Sequence, residues 1–506
     1  MALVVTAASA VGAVPRWQGL PHLVGLPPLD VIADIRFLLV HATGLPTFIA
    51  GVVVSVAVRS LVLASLLGGI TRARVLFALR FYLVVLVPAG LAATLSFASM
   101  AVLYYLFFWL GWGFTVILAM TTGAGPWMGG ARLRTAFATS VRRGFRSGTI
   151  GCYLALLTVL GAVADLGGEV GAVVVVPLSA ALTWGAVVVL RLDPPRTRVP
   201  RRVVATVPAA GIVALAVVVV TGPAGPVDRP SARAQEGSIM LMSGVDSSSG
   251  RGAILEIDPA VMGWTCEQTI HFSYAGPGDG QPQRQAQCPI EQGAPYGPQD
   301  TLRSREDLVG FLEAQSAELD PPGVVVGHSQ GAWLVWDAAS LDRLPNTDLI
   351  VLVGSFSENR VTYPAAGEQG PGAVGRGLLG LLLSTPPVGG MTVFEPDSPL
   401  GHEWLAHPDR IERTLARPLP DGIRAVSVAS AFDLPLLPGT HRIDGAVDAC
   451  PVPVTHPNLP YAEELQEVIA RAAAGEPLPG CPAWRTAIGP LFRHFAPPPS
   501  VGASTG

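Results

Sequence analysis

The pentapeptide Gly327-His328-Ser329-Gln330-Gly331 is the stretch of this sequence whose residue types and spacing point most directly at covalent chemistry. A GxSxG run alone is a weak signal, because small residues are common throughout the chain. Its setting strengthens it. The apolar run Val324-Val325-Val326 leads in, and Ala332-Trp333-Leu334-Val335-Trp336 leads out with helical character. Strand, sharp turn and helix are what a nucleophile elbow requires, and the flanking glycines give the crowded turn room. The bland reading is a strand-to-helix turn that happens to contain a serine. A serine nucleophile also needs a base to take its proton and an acid to orient that base. His456 and His441 are the candidate bases, and Asp433, Asp444 and Asp448 the candidate acids. His402, Glu403 and His407 imitate a metal motif, but histidines five apart lie about 140° apart around a helix and share no face. They read as structural, and no metal is expected.

Elements that could position such a serine are visible around it. Short apolar runs at 238–243, 269–274, 323–327, 348–354, 423–430 and 450–455 read as strands. Helical patterns fall near 300–319, 330–342, 402–416 and 459–474, with Asp300 as a suitable N-cap for the first. Alternation of this kind predicts a mostly parallel sheet with flanking helices. Between the strands at 348–354 and 423–430 lie about seventy residues. Within them the apolar stretch 376–391, broken by Gly and Pro and too short to span a bilayer, reads as a lid, a segment dipping into the membrane, or a helix packed on the sheet.

The VVGHSQGA stretch resembles the elbow of lipases, cutinase-like esterases and related serine hydrolases of the α/β-hydrolase superfamily. Two further likenesses are the HFSYAG segment followed by Tyr296 and an Asp-Thr pair, and the Pro-Leu-Pro run leading through an apolar strand to an Asp. Together they cover roughly 235–485. The resemblance implies the chain order Ser, Asp, His. It therefore implies Asp433 in the loop after the strand at 423–430, and His456 after the next strand. It also implies an oxyanion hole formed by the backbone N–H groups of Gln330 and Val245, with Gly244 allowing the tight path. Asp246 beside that hole is electrostatically awkward unless it points away.

The first 222 residues differ in kind. They hold 16 Arg against 5 acids, whereas the remainder holds 17 Arg against 32 acids. A basic, apolar half joined to an acidic, polar one predicts a multi-span helical membrane domain, 1–222, followed by a soluble domain. About six spans are expected, near 45–70, two within 81–120 with a turn near Ser99, then 148–166, 169–190 and 203–222. An alternative first span is 37–58. Residues 1–15 lack a basic n-region and do not read as a signal peptide. Arg59 is the one candidate for an ionisable group inside a span. The Arg-rich connections 71–75, 132–147 and 191–202 alternate with the acidic Asp165–Glu169 connection, which places the polar domain outside the cell membrane.

Residues 223–237 read as a Pro/Gly-rich linker, 238–485 as the α/β-hydrolase domain and 486–506 as a C-terminal tail. Cys266, Cys288, Cys450 and Cys481 fit two disulfides in an oxidising compartment. Closeness in sequence favours Cys266–Cys288 and Cys450–Cys481, while four free thiols remain an alternative. Cys152 reads as a buried thiol. The chain has no lysine, which excludes a phosphate-loop lysine and a Schiff base, and the acidic soluble half argues against nucleic acid as partner. The expectation is an extracytoplasmic hydrolase of carboxylic esters acting through an acyl-enzyme without cofactor. The bilayer is its partner and lipid-like acyl esters are favoured substrates. Acyl transfer by the same residues is the alternative within enzymes. A transporter or envelope scaffold with a degenerate hydrolase domain is the alternative from another class.

Overall fold

The computed structural model describes residues 1–103, 105–123, 147–191, 233–356, 361–384, 394–407, 409–431, 433, 443–483, 485–486 and 498. Two compact units divide the chain, and they do not follow chain order. One comprises Met1–Val217, Arg360–Thr392 and Pro490–Gly506, the other Val218–Asn359 and Val393–Gly489.

The first unit is helical: α1 (Ala2–Ala10), α2 (Leu29–His41), α3 (Leu45–Leu66), α4 (Arg72–Ala101), α5 (Tyr105–Gly123), α6 (Ser147–Leu166) and α7 (Gly168–Arg191). Leu45–Leu66, Arg72–Ala101 and Val173–Leu190 are long and apolar enough to cross a membrane; Leu106–Thr121 and Gly148–Ala164 are shorter apolar helices. The span expected at 203–222 and the Arg-rich connections 132–146 and 192–202 lie outside the described residues. The turn expected near Ser99 falls slightly later, at Leu103, whose φ is 50°. Val54, Val84, Val87, Leu178 and Val189 are exposed along these helices, an apolar exterior that suits hydrocarbon and not water.

Arg59 lies within the long apolar helix α3 and is paired there. It is buried in α3 and donates to both carboxylate oxygens of Asp34 on α2, at 2.9 and 2.6 Å, and to the Leu23 carbonyl at 2.7 Å. Ser55 also donates to Asp34, and Tyr82 on α4 donates to Asp30 at 2.6 Å. Cys152 corrects another expectation: it is a free, exposed cysteine. An apolar helix that faces lipid carries its small residues outward as readily as inward, so apolar neighbours in sequence did not imply burial.

Within this unit also lies α10 (Ala373–Leu383), from the apolar stretch read as a lid, a segment dipping into the membrane or a helix packed on the sheet. It packs against α2, α3 and α4. Gly375 makes the close approach, since a Cβ there would sit 2.5 Å from the Phe97 ring. The Gly370 N–H donates to the Thr43 carbonyl at 2.9 Å. Residues 385–391 of the stretch lie outside the described residues.

The second unit is a six-stranded, all-parallel sheet in the order β2-β1-β3-β4-β5-β6. Its strands are β1 (Ile239–Met242), β2 (Thr269–His271), β3 (Gly323–His328), β4 (Thr347–Val353), β5 (Arg424–Val428) and β6 (Val447–Asp448). Helices α8 (Arg305–Ser316), α9 (Gln330–Ser340), α11 (Pro399–Leu405), α12 (Arg410–Leu415) and α13 (Glu463–Ala473) flank it. Burial on both faces explains why the central strands are continuously apolar. Leu241, Val324, Val326, Val351 and Val428 share one core with Leu465 and Ile469 of α13. Strand periodicity turns Val325, Ile350 and Leu352 to the opposite face.

Three local expectations are corrected. Ser304, not Asp300, caps α8, accepting from the Asp307 N–H; Asp300 instead accepts from the Gly297 N–H one turn earlier. The last strand is at 447–448, not 450–455. Pro451 and Pro453 have no N–H to give a ladder, and only Val452 between them pairs, bridging Ser430. The helix expected over 402–416 is two helices, with Pro408 between them.

Candidate active site

Ser329 stands where β3 passes into α9, with φ 58° and ψ −120°. This left-handed turn is costly for a residue with a side chain, and its surroundings hold it. The Ser329 N–H donates to the Val353 carbonyl of β4 at 2.8 Å. Both glycines of the pentapeptide are required sterically. A Cβ on Gly327 would lie 2.5 Å from the Gly331 carbonyl oxygen, and one on Gly331 would lie 2.9 Å from that of Ser243.

His456 opens a 3-10 turn, His456–Tyr461, beyond β6. Its Nδ1 is hydrogen-bonded to Oδ2 of Asp433, whose side chain is fully buried. Its Nε2 and the other Asp433 oxygen have no hydrogen-bond partner among the described residues. His328, adjacent to Ser329, stacks on the His456 ring with centroids 4.9 Å apart and 29° between planes. His328 Nε2 also lies 3.3 Å from the His456 carbonyl oxygen. Burial above all, then the neighbouring His456, pushes the His328 imidazole down to about 3. It is therefore a neutral ring at any ordinary pH, and its Nε2 is the donor to that carbonyl. On another side Gly354 follows β4 with φ 61°, and a Cβ there would meet His456 Nδ1 at 2.9 Å. The imidazole thus sits over the C-terminal ends of β3 and β4, next to the elbow.

The loop after β1 reaches the same place. A Cβ on Gly244 would lie 2.7 Å from Ser329 Cβ and 3.3 Å from its Oγ. Neither the Val245 N–H nor the Gln330 N–H has a hydrogen-bond partner among the described residues; the latter is one of the donors that the first turn of a helix leaves open. Asp246 has φ 64° and is exposed. Partial burial holds its carboxyl above the ordinary range against the pull of Arg251. The loop is fixed from below: Tyr274 donates to the Ser243 carbonyl at 2.5 Å, and the Tyr296 N–H donates to Ser249 Oγ at 2.7 Å.

Among the rivals, Asp444 and Asp448 are exposed, whereas Asp433 meets His456. His441 lies outside the described residues. Glu403 is paired with Arg410 at 2.8 Å and accepts the Arg305 N–H. The disulfides are Cys266–Cys288 and Cys450–Cys481, with Cα atoms 5.2 and 4.9 Å apart. The second ties the segment just before His456 to the stretch after α13. Sequence reasoning missed Gly354 as the space His456 occupies; a glycine directly after the β4 run was the available signal. No protein-family model matches this chain, and no curated protein matches it.

Proposed function

We propose that the chain is a membrane-anchored, extracytoplasmic serine hydrolase of carboxylic esters, with its sheet unit in the α/β-hydrolase fold. The observation that carries this reading is the Asp433–His456 pair beside the Ser329 elbow, with His456 Nε2 unpartnered among the described residues. In the reaction His456 Nε2 takes the Ser329 proton as Oγ attacks the ester carbonyl, and the resulting oxyanion accepts from the Val245 and Gln330 N–H groups. His456 then gives that proton to the departing alcohol. Water, deprotonated in turn by His456, releases the acid from Ser329. Asp433 keeps Nδ1 protonated and stabilises the imidazolium. An acyl acceptor other than water would use the same residues. Helices apolar enough to span a membrane support anchoring, and two disulfides support an oxidising compartment.

A panel of p-nitrophenyl esters of increasing chain length tests the reading: turnover that vanishes in His456→Ala but survives in His441→Ala supports it. Orientation is tested with Cys152→Ser as background. A cysteine at exposed Asp342 should react with an impermeant maleimide on intact cells, and one at Arg142 should not. A second reading, in which the helical unit does work of its own, is favoured by the network of buried Asp30, Arg59 and Tyr82 with half-buried Asp34, because Arg59 lies within a helix apolar enough to span and ionisable groups there often mark a transport path. Ester turnover unaffected by dissipating the membrane potential, together with ion-tight proteoliposomes, would count against it.

A further inference from the structure

Thr301 has no hydrogen bond to Ser329 or His456 among the described residues, yet it bonds to both segments whose N–H groups are unpartnered there. It is completely buried, in the 3-10 turn Pro298–Leu302 that precedes α8. Its hydroxyl donates to the Pro298 carbonyl at 2.6 Å and accepts the Asp246 N–H at 3.3 Å. These directions are forced, because a backbone N–H only donates and a carbonyl only accepts. The Thr301 carbonyl accepts from the side-chain amide of Gln330. One residue therefore holds the loop after β1 at the position following Val245 and, separately, the first residue of α9.

We propose that Thr301 is a positioning residue that sets the two oxyanion donors, the N–H groups of Val245 and Gln330, at their working separation. This rests on the hydrolase reading given above. The physical need is clear. The peptide joining Val245 to Asp246 leads into a left-handed residue, a conformation that non-glycine residues hold only when their surroundings impose it. The Asp246 side chain is exposed, so the backbone bond to Thr301 is what anchors that residue. Hydrogen bonds to an oxyanion act at 2.7–3.1 Å and lose their value when a donor turns aside.

The test uses the full chain in detergent or nanodiscs. Thr301→Val keeps the shape and the carbonyl but loses the hydroxyl; Thr301→Ser keeps the hydroxyl. Active sites are counted by the end point of fluorophosphonate labelling. Per labelled site, Thr301→Val should lose about 10- to 100-fold in kcat with KM within about threefold, and Thr301→Ser should restore kcat to within about threefold. The inhibition constant of a boronic acid, which mimics the tetrahedral intermediate, should rise in proportion to the loss in kcat/KM. Should Thr301→Val fail to accumulate, Thr301→Ala is measured on the same terms. A hydroxyl-free variant that keeps kcat within threefold, or that raises KM alone, overturns the positioning role while the hydrolase reading stands. A parent chain that fluorophosphonate does not label overturns both.

Discussion

Each unit buries or half-buries carboxylates, and most are held by several donors. In the helical unit Asp34 receives Arg59 and Ser55, and Asp30 receives the Tyr82 hydroxyl and the Val31 N–H at 2.8 Å. Asp337 in the sheet unit is alike: its fully buried side chain is clamped between Arg305 and Arg417. Asp433 stands apart. Among the described residues it has one hydrogen bond, to a histidine whose far nitrogen has no partner there. Buried ionic groups normally have their hydrogen-bonding capacity satisfied, and a group left open calls for an explanation. The contrast separates carboxylates that hold elements together from one placed to hold a reacting base.

The sharpest way to break the contrast is to make the same change on both sides of it. Asp433→Asn should leave the chain folded and lower ester turnover by up to about 10⁴-fold, through the wrong imidazole tautomer and an unstabilised imidazolium. Asp337→Asn should leave turnover per labelled site within about threefold and instead cost about 1–3 kcal/mol of stability, since Arg305 and Arg417 lose their shared charge. Equal loss of turnover in both would dissolve the distinction.

Asp34→Ala carries the comparison into the helical unit. Leaving Arg59 with only the more distant carboxylate of Asp30, at 3.8 Å, should destabilise it by about 1–3 kcal/mol, read as an earlier thermal aggregation midpoint in detergent. Adding Arg59→Met should recover part of the loss. Turnover per labelled site should not change; its collapse in chains that stay folded would give the network a part in function.

The smallest effect comes from buried groups with no charge partner. His271 is buried, and burial pushes its imidazole down to about 4; His328 is held at about 3. Unfolding restores an ordinary value near 6.5. The unfolded chain then binds more protons, so this contribution to stability is complete above about pH 6.5 and is lost as pH falls toward 4 and then 3. Rates of thermal inactivation should rise as pH drops from 6.5 to 4.5, and His271→Leu should flatten the rise. A rate that falls over this window contradicts the assignment.

Much of the sheet unit was legible because apolar β-branched runs flanked by turns have few other interpretations. Five of the six strands fall within the expected runs or within a residue of them, and the spacing of Asp433 and His456 beyond β5 fits their contact. What was not legible depended on partners distant in sequence. An eleven-residue apolar helix such as α10 carries the same pattern whether it covers a sheet or joins a bundle. Asp30 and Asp34 sit in a short helix before the first strongly apolar span, so nothing nearby announced that they would meet Arg59. Thr301 was visible only as half of an Asp-Thr pair, because its value lies in loops that sequence spacing cannot bring together.

The central claim is that Ser329 is a nucleophile activated by His456. Fluorophosphonate labelling of the full chain in nanodiscs, followed by peptide mapping, tests it most directly. The account predicts one adduct per chain, on Ser329, absent in Ser329→Ala and slowed at least about a hundredfold in His456→Ala. An adduct on another residue, or ester turnover that survives Ser329→Ala, would contradict it.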